Sequence, residues 1–211
     1  MEWEDRFDRE RARYEDGTRR LAPEQLLRLG NAAYGAALCL LMLGRADEAS
    51  SWFERAAVRW RESLEHAAAD SWGRPVGVLK ALILGRHETV GDAADWTLEL
   101  GAVTAPSAIG RYAAALALLA VGRDSEASGL AAGLNEADFP APVADALGAL
   151  AEHREDDYGR ALAAVLESFE ARGAYLEDVP VADTVLVLQE LASVRGMATV
   201  LRYSALLPGS E

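Results

Sequence analysis

A chain of 211 residues can bury about 70% of the surface its unfolded form exposes, so it needs neither metal nor disulfide to hold a fold. Hydrophobic residues make up 51% and charged residues 26%, and the dominance of alanine and leucine favours helix. Acidic residues outnumber basic ones 34 to 21, a formal net charge of −13, which argues against a nucleic-acid surface built from clustered cations and against an anionic membrane face.

Lys80 is the only lysine; every other basic side chain apart from the three histidines is an arginine. That bias fits either a high-GC genome or adaptation to high salt. Cys39 is the only cysteine and sits in an apolar run, so it forms no disulfide within the chain and reads as a small core residue.

In chain order, "MEWEDRFDRERARYEDG" is charged throughout and is not a signal peptide. Trp3, Phe7 and Tyr14 share one stripe of this helix, which is expected to dock on the first hairpin as a cap. Pro23, Pro75, Pro106, Pro142 and Pro180 each precede an apolar stretch with helical spacing, where a missing N–H costs nothing. A breaker closes each stretch: Gly44, Gly85, Gly122, the polar "EHRED" from Glu152, and Gly196. The longest apolar stretch, Ala32 to Leu43, is too short to span a bilayer, so a cytoplasmic location is expected. Helical spacing resumes after the breakers. Ala49, Trp52, Phe53, Ala56, Ala57, Trp60 and Leu64 form one apolar face, and Leu162, Val165, Leu166 and Phe169 another.

The unit is proline, helix, Gly-Arg, helix. The glycines are 41 and then 37 residues apart (Gly44, Gly85, Gly122), a period that marks stacked helix hairpins. Asp47, Glu48, Asp124 and Glu126 come just after the turns and favour the positive end of the second helix. Within "LLMLGRADEASSWFERA" and the residues before it, Ala37, Leu40, Gly44, Ala49, Phe53 and Ala56 resemble the second half of a tetratricopeptide repeat. Ala115, Leu118, Gly122 and Ala127 repeat the spacing, and "DDYGRALAAVLESF" resembles the start of that family's second helix. The second unit, "HETVGDAADW", departs from it.

The resemblance implies an all-α, tetratricopeptide-like superhelix. A capping helix is expected over 1–19, hairpins over 20–70, 71–103, 104–137 and 138–175, and a C-terminal cap and tail over 176–211. Pro180 to Arg195 reads as a half-unit closing the far end. Trp52, Phe53 and Trp60 are expected between the first two units.

No sequence motif signals catalysis. His66, His87 and His153 lack metal-ligand spacing, "SWGRPVG" is not a phosphate loop, and no nucleophile elbow occurs, so no metal or cofactor is expected. The unusual pieces are "SWGRPVGVLK" and "SAIGRYAAAL", which bring Arg74, Lys80 and Arg111 to first-type helices beside Trp72 and Tyr112. In a hairpin array those helices line the concave face, which Arg28, Asn31 and Tyr34 extend. Cations and aromatics there suit the carboxylates of a protein or peptide partner. The competing reading is that the aromatics pack between helices and the cations pair with nearby Asp and Glu. Two other functions stay open. One is an immunity- or antitoxin-type protein masking a basic partner, since the chain resembles small helical immunity proteins in overall character. The other is an enzyme or small-ligand binder with a pocket between helices.

Overall fold

The computed structural model describes residues 2–19, 21–135 and 138–209, so the expected boundaries at 20 and 137 lie outside the described residues. Ten α-helices and no strand occur among them. They are α1 (Glu2–Thr18), α2 (Leu26–Met42), α3 (Ala46–Leu64), α4 (Gly73–Leu84), α5 (Val90–Glu99), α6 (Ala108–Ala120), α7 (Asp124–Asn135), α8 (Ala141–Ala151), α9 (Glu155–Glu170) and α10 (Asp183–Ser193). None is long and apolar enough to cross a membrane.

One turn recurs. After α2, α4, α6, α8 and α10 the chain makes a single left-handed residue: Gly44 (φ 73°), Arg86 (49°), Gly122 (73°), His153 (56°) and Gly196 (69°). In each case the next N–H reaches back five residues, Arg45 to Leu40, His87 to Leu82, Arg123 to Leu118, Arg154 to Ala149 and Met197 to Ala192, at 2.9–3.0 Å. This is the Schellman closure, which satisfies carbonyls that the helix end leaves open. In the second unit the left-handed position falls one residue later than expected. Gly85 is ordinary helix at φ −75° and Arg86 carries the strain. Two turn arginines hold the helix that follows: Arg45 grips Glu48 and Arg123 grips Glu126 through paired 2.7 Å bonds, each pinning the first turn of the next helix.

Consecutive helices pack on one another, α2 on α3, α6 on α7 and α8 on α9, while α3 also packs on α4 and α4 on α6. Trp60 of α3 is wedged between two glycines. A Cβ on Gly30 of α2 would stand 2.5 Å from its indole, and one on Gly77 of α4 would stand 2.7 Å away. Only the missing side chains let both helices close on the ring. Phe53 lies in the same layer, edge-on to Tyr34 with ring centres 5.5 Å apart, and fully buried. Trp52 departs from expectation. It turns away from the second unit to meet Phe7 (5.9 Å) and Tyr14 (5.5 Å) of α1, since these two rings of a mostly charged helix need an apolar surface to cover.

Two substitutions test this packing. Phe53→Ala is expected to cost about 3–5 kcal/mol in chemical denaturation, as large aromatic core truncations do. Gly122→Ala meets nothing within 4 Å. Its expected loss of about 1–2 kcal/mol therefore measures the left-handed backbone alone.

Candidate functional site

The segment expected to close the far end packs on α8 and α9 and also reaches beyond them. Residues 176–195 lie across α2, α4, α8 and α9 as a strap. Its first turn, Leu176–Asp178, packs against α2, and α10 packs against α4, α8 and α9. The reason lies in its composition. Val185, Val187, Leu188, Leu191 and Ala192 are buried and need an apolar face, and α4, α8 and α9 pack against this helix.

Ion pairs and charged hydrogen bonds fasten the strap along its length. At its start, Glu177 and Asp178 both adopt left-handed conformations (φ 53° and 54°). Such backbone strain in non-glycine residues persists only where the surroundings over-determine it. Here three arginines of α1 do so: Arg6 donates to the Asp178 carbonyl, Arg9 to the Glu177 carbonyl at 3.1 Å, and Arg13 pairs with the Glu177 carboxylate. Towards its end, Glu190 receives a two-point bond from Arg86 at 2.8 and 2.9 Å. Beyond α10, the buried Arg195 grips Asp124 and donates to the Leu119 carbonyl at 2.6 Å. His153 also reaches Asp124, at 3.1 Å.

The centre of the strap holds the densest polar cluster. Asp183 Oδ2 accepts from Lys80 Nζ at 2.8 Å and from the Tyr34 hydroxyl at 3.0 Å, while Lys80 also donates to Thr184 Oγ1 at 2.9 Å. The Lys80 and Asp183 side chains are only 13% and 18% exposed, so the pair is mostly desolvated and each charge depends on the other. Burial opposes the charge on both. The opposite charge and the shared bonds outweigh it, holding the Asp183 carboxyl below and the Lys80 ammonium above their ordinary values. Burial and then the nearby carboxylate push the Tyr34 phenol well up, so it stays a donor.

The residues singled out in the sequence divide. Lys80 and Tyr34 converge on Asp183. Asn31 accepts from the Trp60 indole N–H at 3.0 Å and serves the packing layer. Trp72 is buried, and a Cβ on Gly110 would stand 3.0 Å from its indole nitrogen. Tyr112 is buried against Phe139, ring centres 5.2 Å apart; among the described residues its hydroxyl makes no hydrogen bond of normal geometry. Arg74 and Arg111 go to separate partners. Arg74 turns to Ser63 at the end of α3 (2.9 Å), and Arg111 turns to the Gly133 carbonyl of α7 (3.5 Å). Each reaches its own neighbouring helix, so among the described residues the two guanidinium groups share no carboxylate. Arg28 is exposed.

Sequence reasoning misses Asp183, Thr184 and Arg195. A signal exists: Asp183 is the only charged residue between Asp178 and Glu190, a lone carboxylate in an apolar run, in a chain with a lone lysine. Among the described residues no group of three or more His, Cys, Asp or Glu is placed to hold a metal.

The signs of these shifts set the pH dependence of the strap. The depressed Asp183 stabilises it above the ordinary aspartate range and ceases to as pH falls through its lowered value. The raised Lys80 keeps its contribution until pH rises past the ordinary lysine range. Strap docking is therefore expected to be flat across neutral pH and to weaken below about pH 4. Amide exchange in α10 reads this out, and the acid step should shrink in Asp183→Asn to the part carried by Asp124, which Arg195 holds below its ordinary value. Lys80→Met, which strands the carboxylate, is expected to cost about 3 kcal/mol in denaturant unfolding.

Comparison with known proteins finds no matching family model, no matching curated protein and no matching solved structure.

Proposed function

We propose that the chain is a non-catalytic, protein- or peptide-binding module of tetratricopeptide-like hairpins, and that the face of α2, α4 and α8 takes a helical segment carrying carboxylates. One observation carries this: the chain's own segment 176–195 lies on that face, with its apolar side buried and Asp183 held by Lys80 and Tyr34. The strap is thus a template for the ligand. An apolar helical stripe supplies affinity, and a carboxylate set on one lysine supplies register. A partner of the same character would compete with α10 for the face. A tethered segment acts at an effective concentration in the millimolar range, so a partner in trans must bind tightly or meet a loosened strap.

The test uses a labelled peptide of residues 176–195 titrated into the full chain. Asp183→Asn loosens the resident strap and leaves Lys80 free. It is expected to bind the peptide about 10- to 100-fold more tightly than the wild type does, the factor that a mostly buried ion pair implies. Adding Lys80→Met should remove the gain. Equal affinity for all three chains, each verified as folded by circular dichroism, would refute the proposal.

A further inference from the structure

Beneath the start of the strap lies a half-open cleft of about 320 Å³, between α2, α4, the end of α9 and the strap itself. That volume lies in the range of small-molecule sites. Its walls are of two kinds. Leu38, Phe169, Val179 and Val181 give an apolar floor and side. Lys80, Asp183 and Arg172 give three charges, two positive and one negative.

Lys80 and Asp183 neutralise each other in place, since Asp183 Oδ2 already accepts from Lys80 and Tyr34. The uncompensated charge is that of Arg172. Its guanidinium carbon sits over the Phe169 ring, 3.6 Å from the centroid, and among the described residues it has no carboxylate partner. Stacking occupies the face of a guanidinium and leaves the donor edge unspent, the edge that matches a carboxylate through two parallel bonds. Lys80 donates to Asp183 and Thr184, two acceptors for the three protons it carries. In a chain of net charge −13, this cation differs from Arg45, Arg86 and Arg123, each of which grips a glutamate; Arg55 and Arg61 also lie over aromatic rings, but neither lines this cleft.

We propose that this cleft binds a small monocarboxylate with a short apolar body, the carboxylate on the edge of Arg172 and the apolar part against Leu38, Phe169 and Val181. The site is complete only while the strap is docked, whether or not a partner can displace the strap. A ligand there touches both strap and body and fastens one to the other. By linkage it raises the stability of the docked strap in proportion to its affinity for that state.

The experiment measures the melting temperature of the full chain, and calorimetric binding, with acetate, hexanoate and benzoate as probes. Hexanamide and benzamide are the uncharged controls, and chloride is held at matched ionic strength. Hexanoate and benzoate should stabilise the chain more than acetate, and the amides should not. Arg172→Gln, an exposed position outside the Lys80–Asp183 pair, should weaken hexanoate by about 10- to 100-fold, as loss of a charged two-point bond implies. Ala174→Trp at the exposed mouth should block all probes while leaving the apo melting temperature unchanged. The proposal is overturned if no carboxylate shifts the melting temperature, if amides act as well as carboxylates, or if Arg172→Gln binds hexanoate like the wild type. Binding of the labelled 176–195 peptide, measured separately, reports on the strap-bearing face and not on this cleft.

Discussion

A single carboxylate fixes where the C-terminal segment of this protein goes. Asp183 stands at the start of α10, mostly shielded from water, and a charge in that position is tolerable only if it is paired and hydrogen-bonded. Lys80 and Tyr34 meet both conditions from two different helices. Apolar burial of α10 is non-directional and would accept neighbouring registers on the same face. The Asp183 contacts accept one, because a shift by a residue would leave a buried ammonium and a buried carboxylate apart.

That convergence depends in turn on the spacing of α2 and α4, which Trp60 sets. The indole fills the gap left by Gly30 on one side and Gly77 on the other, and Tyr34 packs on it with ring centres 5.1 Å apart. The Tyr34 hydroxyl thus reaches Asp183 from a ring clamped by Trp60 and Phe53. Packing places the donors, and the donors place the strap. The outer fastenings, Arg13 to Glu177 and Arg86 to Glu190, are more exposed, and exposed ion pairs are worth about 0–1 kcal/mol each. They direct the ends of the strap, whereas the central pair and the apolar face hold it.

Much of the helical layout is legible in the sequence because it is written in local chemistry. Glycine at 44, 122 and 196 marks left-handed turns that any chain must make with a permissive residue. The second and fourth turns, built on Arg86 and His153, carry no such mark, so sequence reasoning lands one residue early at Gly85 and finds only a polar run at Glu152. Lys80 and Tyr34 are legible as unusual residues on first-type helices. Their partner is not, because Asp183 is 103 and 149 residues away and belongs to a segment whose own periodicity says only that it is an amphipathic helix. Local pattern does not say on which surface a helix lands. Arg74 and Arg111, legible as cations on such helices, are spent inside the fold for a related reason: sequence position places a Cα, while a long side chain goes to a nearby acceptor, here Ser63 and Gly133.

If one buried pair pins the strap, the strap should open as a unit of its own. Amide hydrogen exchange on the full chain, wild type against Asp183→Asn, tests this directly. The expected result is that protection within α10 falls by about 100-fold while α6, α7 and α8 exchange as before, the signature of local opening. Equal loss of protection through all helices would make α10 part of one cooperative core, and unchanged protection in α10 would show that the pair pins nothing; either result would contradict a strap held by Asp183.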